Sequence, residues 1–227
     1  NSANVADNGS NYFTGFTMAS GTASNYELVS GYNATTNAAT INARPITITA
    51  NANQTKVYGN SNPTYTYTLE AAGTNRGLVG SETFSGALTR AAGENVGSYA
   101  IGQGTLANGN YNISFVADNF SITGRPITLT ASAQSKTYGE VLSLGTTGFT
   151  KTSGTYVTGE SADAVVLASA NGYAASTTRA AGTYATEIGI SDATGSGGFL
   201  ASNYNITYVA GALTINQKAL TITANND

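Results

Sequence analysis

The sequence predicts an all-β chain of tandem small β-sandwich-like domains forming an elongated rod, with β-grasp-like units carrying one short helix as the alternative. Three observations carry this. Apolar and polar residues alternate at period two over short runs, Gly and Asn punctuate the runs, and whole blocks of sequence recur at long intervals.

The alternation is plain in Ile46-Thr47-Ile48-Thr49, Tyr65-Thr66-Tyr67-Thr68-Leu69, Tyr99-Ala100-Ile101 and Ile113-Ser114-Phe115-Val116. These β-branched and aromatic residues suit a pleated, half-buried surface, and they predict five to seven short strands per unit. Only the region of Gly77-Leu78-Val79-Gly80-Ser81-Glu82 suggests a helical turn.

The block Arg44-Pro45-Ile46-Thr47-Ile48-Thr49-Ala50 returns as Arg125-Pro126-Ile127-Thr128-Leu129-Thr130-Ala131 and again as Lys218-Ala219-Leu220-Thr221-Ile222-Thr223-Ala224, at intervals of 81 (44 to 125) and 93 (125 to 218) residues. Each of the first two is followed by a Lys-x-Tyr-Gly element, Lys56 to Gly59 and Lys136 to Gly139. Next come Thr89-Arg90-Ala91-Ala92-Gly93 and Thr178-Arg179-Ala180-Ala181-Gly182, each leading to a Gly-Ser-Tyr or Gly-Thr-Tyr step at Tyr99 or Tyr184. Closing blocks stand at Asn110 to Phe115 and Asn203 to Tyr208, with a weaker one at Asn25 to Leu28. The organisation read from this is the end of one repeat over 1–43, full repeats over 44–124 and 125–217, and the first strand of another over 218–227. Periods this long exceed those of solenoids, so each unit is expected to hold its own core. The second repeat departs from the first over Leu142–Tyr156, where the Asn62-Pro63 pair has no counterpart and extra residues are expected. Between the repeats, Phe120 to Thr130 offers one Gly rather than a Ser/Gly linker, and Pro45 and Pro126 are placed at the first position of a strand.

Composition removes most chemistry. Cys, His and Trp are all absent, so thiolate nucleophiles, disulfides, imidazole bases and the usual nitrogen and sulfur metal ligands are excluded. Charged residues make up 9% of the chain against about 25% in ordinary globular domains, and the net charge is -3. Nine scattered Lys and Arg give no basic patch, so nucleic acid is not an expected partner. No apolar run is long enough for a membrane span, and residues 1–20 lack a leader's plan, so the export signal is expected outside these residues. The 14 Tyr and 7 Phe in regular alternation argue against a disordered linker. A glycosidase-like carboxylate pair finds little room for a cleft in units of about 80 residues, so the chain is read as no enzyme.

The Lys-x-Tyr-Gly element, the Gly80 to Glu82 and Gly159-Glu160 steps, the Arg-Ala-Ala-Gly turn and the Asn-Tyr-x-Ile-x-aromatic-Val closing strand resemble the MBG repeat of the Tyr-Gly type. Residues Phe16 to Leu28 resemble the end of the related YDG repeat. The resemblance implies a large secreted bacterial protein of the filamentous-haemagglutinin type. It implies an extracellular, cell-surface place, and a structural role in adhesion or biofilm. The partners expected are neighbouring repeats of the same chain, other fibre copies and surface glycans; the alternative function is a carbohydrate- or protein-binding module.

Seven of the nine cations fall at repeat-matched positions, which favours structural work for Lys56, Lys136, Arg90 and Arg179 and for their companions Tyr58, Tyr138, Glu82, Glu160, Tyr99 and Tyr184. Lys56 and Lys136 are read as exposed edge-strand lysines that discourage sheet-to-sheet pairing. The sharper alternative is a Lys–Asn isopeptide bond promoted by Glu, with Lys56, Glu82 and Asn112 or Lys136, Glu160 and Asn205 as ingredients. Tyr99 and Tyr184 fit tyrosine corners, whose hydroxyls bond upstream backbone. No cofactor is expected; calcium, through Asp118, Asp163, Asp192 or Glu187, is the only metal considered, without an Asp-x-Asp run to support it.

Overall fold

The computed structural model describes residues 41–224, and the YDG-like piece at Phe16 to Leu28, with the closing block inside it, lies outside them. The chain divides into two compact units. One holds Thr64–Ala92, Tyr99–Phe120 and the described part of Asn1–Gln54; the other holds Thr55–Pro63, Gly93–Ser98 and the described part of Ser121–Asp227.

The first repeat contributes seven strands, β1 (Arg44–Ala50), β2 (Gln54–Val57), β3 (Tyr67–Leu69), β4 (Thr89–Arg90), β5 (Gly97–Gly102), β6 (Tyr111–Val116) and β7 (Asn119–Thr123). The second contributes seven more, β8 (Arg125–Ala131), β9 (Gln134–Thr137), β10 (Phe149–Gly154), β11 (Ser161–Ser169), β12 (Gly182–Ser196), β13 (Tyr204–Val209) and β14 (Gly211–Asn216). The sheet orders are β3-β1-β6 with β2-β7-β5-β4, and β10-β8-β13 with β11-β12-β14-β9. Each repeat therefore builds the same two curled sheets.

The first strand of each repeat lies centrally. It runs parallel to the closing strand, Ile46 opposite Ile113 and Ile48 opposite Phe115 in one, Ile127 opposite Ile206 and Leu129 opposite Tyr208 in the other. Its alternation then buries Ile46, Ile48 and Ala50 in one repeat and Ile127, Leu129 and Ala131 in the other, Ala131 in a cluster with Ile188, Leu213 and Ile215 of the second sheet. Pro45 and Pro126 occupy the second strand position rather than the first; the antiparallel neighbour β3 is paired only with Ile48 to Ala50, so the missing N–H of Pro45 costs that ladder nothing.

Two further expectations need correction. The segment Gly77 to Glu82 makes no helix, only a turn at Gly80-Ser81: Gly77 and Gly80 stand at φ +79° and +56°, outside the right-handed helical region, and β1 claims the Gly77 backbone, whose amide donates to the Pro45 carbonyl at 2.9 Å and whose carbonyl accepts from Arg44 Nε. The described residues contain just one short 3-10 turn, Ala201–Asn203, in the second repeat. The extra residues of the second repeat do not lie in Leu142 to Tyr156, since the step from Tyr138 to Glu160 is two residues shorter than that from Tyr58 to Glu82. They form the long β11–β12 hairpin, 9 and 15 residues where β4 and β5 have 2 and 6. What Leu142 and Leu144 do instead is pack on the cluster of Ala131, Ile188, Leu213 and Ile215.

Candidate functional site

Edge strand β2 ends in the Tyr-Gly turn, in which the Asn60 amide donates to the Val57 carbonyl at 3.1 Å and the Tyr58 amide to Thr123 at 2.9 Å. Gly59 sits at φ +80°, and a Cβ there would stand 2.3 Å from the Val157 side chain, so both conformation and close approach demand glycine. The turn presents Tyr58 to a socket within the same compact unit. Its ring meets that of Tyr204 edge-on at 5.6 Å. Its hydroxyl donates to Glu160 Oε1 at 2.6 Å while the Tyr204 hydroxyl donates to Glu160 Oε2, also at 2.6 Å. The Tyr204 oxygen in turn accepts from the Val157 amide at 3.0 Å.

Arg125 closes the arrangement. Its fork donates to the Tyr58 carbonyl at 3.1 Å and Asn60 Oδ1 at 3.3 Å, and to the Thr155 carbonyl and hydroxyl, both at 2.8 Å. Buried Asn203 accepts from the Val96 amide at 2.9 Å and donates to Asn95 Oδ1 at 3.0 Å. Gly124, the sole residue between β7 and β8, lies so close to the Tyr204–Asn205 backbone that a Cβ would come within 3.0 Å of the Asn205 nitrogen. Burial, then the Glu160 carboxylate, pushes the Tyr58 phenol above its ordinary value and Tyr204 up to about 12. Both phenols stay protonated donors at any physiological pH. Both Glu160 oxygens are taken up by these phenols, and the arrangement holds the Tyr-Gly turn in place.

The first repeat contains the same socket. The Tyr111 hydroxyl donates to Glu82 and accepts from the Val79 amide at 3.0 Å, and Arg44 Nε donates to Gly77 as Arg125 Nε does to Thr155, at 2.8 Å. Arg44, Val79, Glu82, Asn110 and Tyr111 line, with Ile41 and Asn42, a cavity of about 170 Å³.

Lys56 and Lys136 do stand on edge strands but are not exposed, at 8% and 6%. Their ammonium groups face inward, and a buried charge requires partners. Lys56 pairs with Glu94. Lys136 donates to the carbonyls of Tyr173, Ala174 at 2.9 Å and Ser176 at 2.6 Å. Asn112 and Asn205 are exposed, and Glu82 and Glu160 are committed to tyrosines, so the isopeptide ingredients are not brought together. Arg90 covers the ring of Tyr99 at 4.8 Å, and Arg179 lies over Tyr173 at 4.1 Å and Tyr184 at 4.6 Å. The Tyr184 hydroxyl donates to the Ala180 carbonyl at 2.8 Å, the upstream bond of a tyrosine corner.

Of the acidic residues, Glu187 is buried and accepts from the Ser169 hydroxyl, the Asn171 amide and side chain and the Tyr173 amide. Burial pushes its carboxyl up, but these donors outweigh it and hold it below the ordinary range. Asp118 caps the Asn119 amide, and Asp163 and Asp192 accept from Ser161 and Ser191. Among the described residues no three carboxylates gather. Asn203, Glu94 and the network of Glu187 escaped the sequence reading; the Asn-Tyr pair at both Asn110-Tyr111 and Asn203-Tyr204 was the signal for the first.

A family profile described as the MBG domain (YGX type) matches residues 46–121 and 127–214. No curated protein and no solved structure matches the chain.

Proposed function

The chain belongs to the MBG family of YGX type, and from that premise we propose that its repeats are structural spacers in the stalk of a secreted bacterial surface adhesin or extracellular fibre. One observation supports this reading most. The Tyr-Gly element, which stands in both matched segments, is spent in its first copy on holding Glu160, Tyr204 and Arg125, not on presenting a reactive group. The recurring cations Arg44, Lys56, Arg90, Arg125, Lys136 and Arg179 and the phenols Tyr58, Tyr111, Tyr184 and Tyr204 are likewise engaged internally, and such a module needs neither cofactor nor catalysis to serve as a spacer. A surface of uncharged polar groups, with a core closed without disulfides, suits an extracellular environment.

The test is mechanical and chemical together. The 227-residue chain is inserted between a membrane anchor and a known binding domain on a bacterial surface, and reach and glycan-array binding are measured. A spacer lengthens reach in proportion to the number of repeats and leaves the array silent. Reproducible glycan binding by the repeats alone, lost on removing the second, would replace the spacer by the adhesive module.

A further inference from the structure

The described chain contains one complete Tyr-Gly joint and one further plug. The Tyr138-Gly139 turn repeats every local feature of Tyr58-Gly59: the Tyr138 amide donates to the Asn216 carbonyl at 2.9 Å, as Tyr58 does to Thr123, and Gly139 has φ +89°. Lys218 Nζ comes within 4.0 Å of where a Cβ on Gly139 would stand, and Arg125 Nη1 within 3.5 Å of the equivalent point at Gly59. The plug side is thus assembled. The socket side is not: Tyr138 is 41% exposed, where Tyr58 is 8%.

A second observation lies beside it. Lys218 to Ala224 repeats the sequence of β1 and β8, whose alternate apolar residues are almost fully buried, but here no strand forms and Leu220 and Ile222 are 82% and 85% exposed. In β1 and β8 these positions are covered because the strand pairs, parallel, with the closing strand of its own repeat. The missing cover is therefore a closing strand, and the closing strands of this chain begin with the Asn-Tyr pair that forms the socket.

We propose that the Tyr138-Gly139 turn, Lys218 and the unpaired Lys218 to Ala224 segment together form a docking surface for a further β-repeat of this kind. That repeat takes Leu220 and Ile222 into its core and receives the Tyr138 ring in a Val-x-x-Glu and Asn-Tyr socket. The occupant is specified by the complete joint at Tyr58, with which the surface shares its turn, its cation and its strand. The joint at Tyr138 has one bond set fewer, because the segment after Gly182 lacks a counterpart of Asn95 and Val96. The inference rests on the repeat-module reading, but its readout is one side chain, so a chain that fails as a spacer can still protect Tyr138, and the reverse.

The experiment compares the 227-residue chain with an extended chain in which residues 1–224, with Lys218 to Ala224 kept as the first strand, are followed by residues 132–227. The appended copy carries Tyr138→Phe, so one Tyr138 peptide reports. Nitration by tetranitromethane at mildly alkaline pH is followed by mass spectrometry. Tyr138 is expected to react as an exposed phenol in the 227-residue chain and about tenfold more slowly in the extended one, with Glu160→Gln in the appended copy restoring most of the rate. Unchanged reactivity in the extended chain overturns the proposal. So does protection that survives the appended Glu160→Gln, and so does protection of the 227-residue chain alone that grows with its concentration, which would name a second copy as the occupant.

Discussion

Lys56 and Lys136 stand at the same place in two copies of one repeat, are buried to the same degree, and are neutralised by different chemistry. Between Gly93 and Tyr99 the first repeat has four more residues than the second has between Gly182 and Tyr184, and among them Glu94 supplies the carboxylate for Lys56. The second repeat, without that loop, folds Tyr173 to Ser176 over Lys136 and satisfies the ammonium with three carbonyls. The same loop is held from its other side by Glu187, which collects its amides. The difference teaches that what the position demands is neutralisation of an inward-facing cation, and that the neighbouring loops are free to supply it in either currency.

Removing the cation breaks the comparison most strongly. Lys136→Met is expected to destabilise the second repeat by about 3 kcal/mol in urea unfolding, because three carbonyls lose a charged donor at once. Lys56→Met should cost about 1 kcal/mol, since the Glu94 side chain is 65% exposed and turns to water. Equal losses would mean the two solutions are not different in kind.

Glu187→Gln comes next, at about 2 kcal/mol, and sharpens the comparison through pH. The folded Glu187 carboxyl titrates below its unfolded value, so its contribution is complete above the ordinary carboxylate range and fades as pH falls through the folded value. The gap between the wild-type protein and Glu187→Gln should therefore narrow on acidification, and a gap that widens would show the carboxyl is protonated in the fold.

A smaller effect is expected from Tyr204→Phe, about 1 kcal/mol, for the loss of the hydroxyl that joins Val157 to Glu160. In an alkaline absorbance titration the phase near pH 12 should disappear with it. Smallest is Arg179→Gln, about 0.5–1 kcal/mol for a guanidinium over two rings, with Arg90→Gln falling in the same range.

Much of the fold was legible because period-two alternation and recurrence both report burial directly. Ile46 and Ile48 declared the face of β1, and among the repeated Asn-Tyr, Lys-x-Tyr-Gly and Arg-Ala-Ala-Gly blocks stand Tyr58, Lys136, Arg179 and Tyr204, whose side chains have partners in the fold, as the ring of Tyr138 does not among the described residues. The reading failed where the outcome depends on what arrives from far along the chain. An edge-strand lysine reads as solvated unless Glu94 or the Tyr173–Ser176 loop is known to cover it, and Gly77 to Glu82 reads as helical unless Pro45 and Arg44 are known to claim its backbone.

By itself, then, the sequence determined the all-β class and the presence of two copies of one repeat, since these follow from local periodicity and from comparison of the chain with itself. Only the tertiary structure decided what those side chains do: that Tyr58 and Tyr204 share Glu160, that the two lysines are buried, and that the second repeat grows through its β11–β12 hairpin. Hydrogen bonds and burial are made between residues tens of positions apart, and no local pattern encodes which distant partner closes the distance.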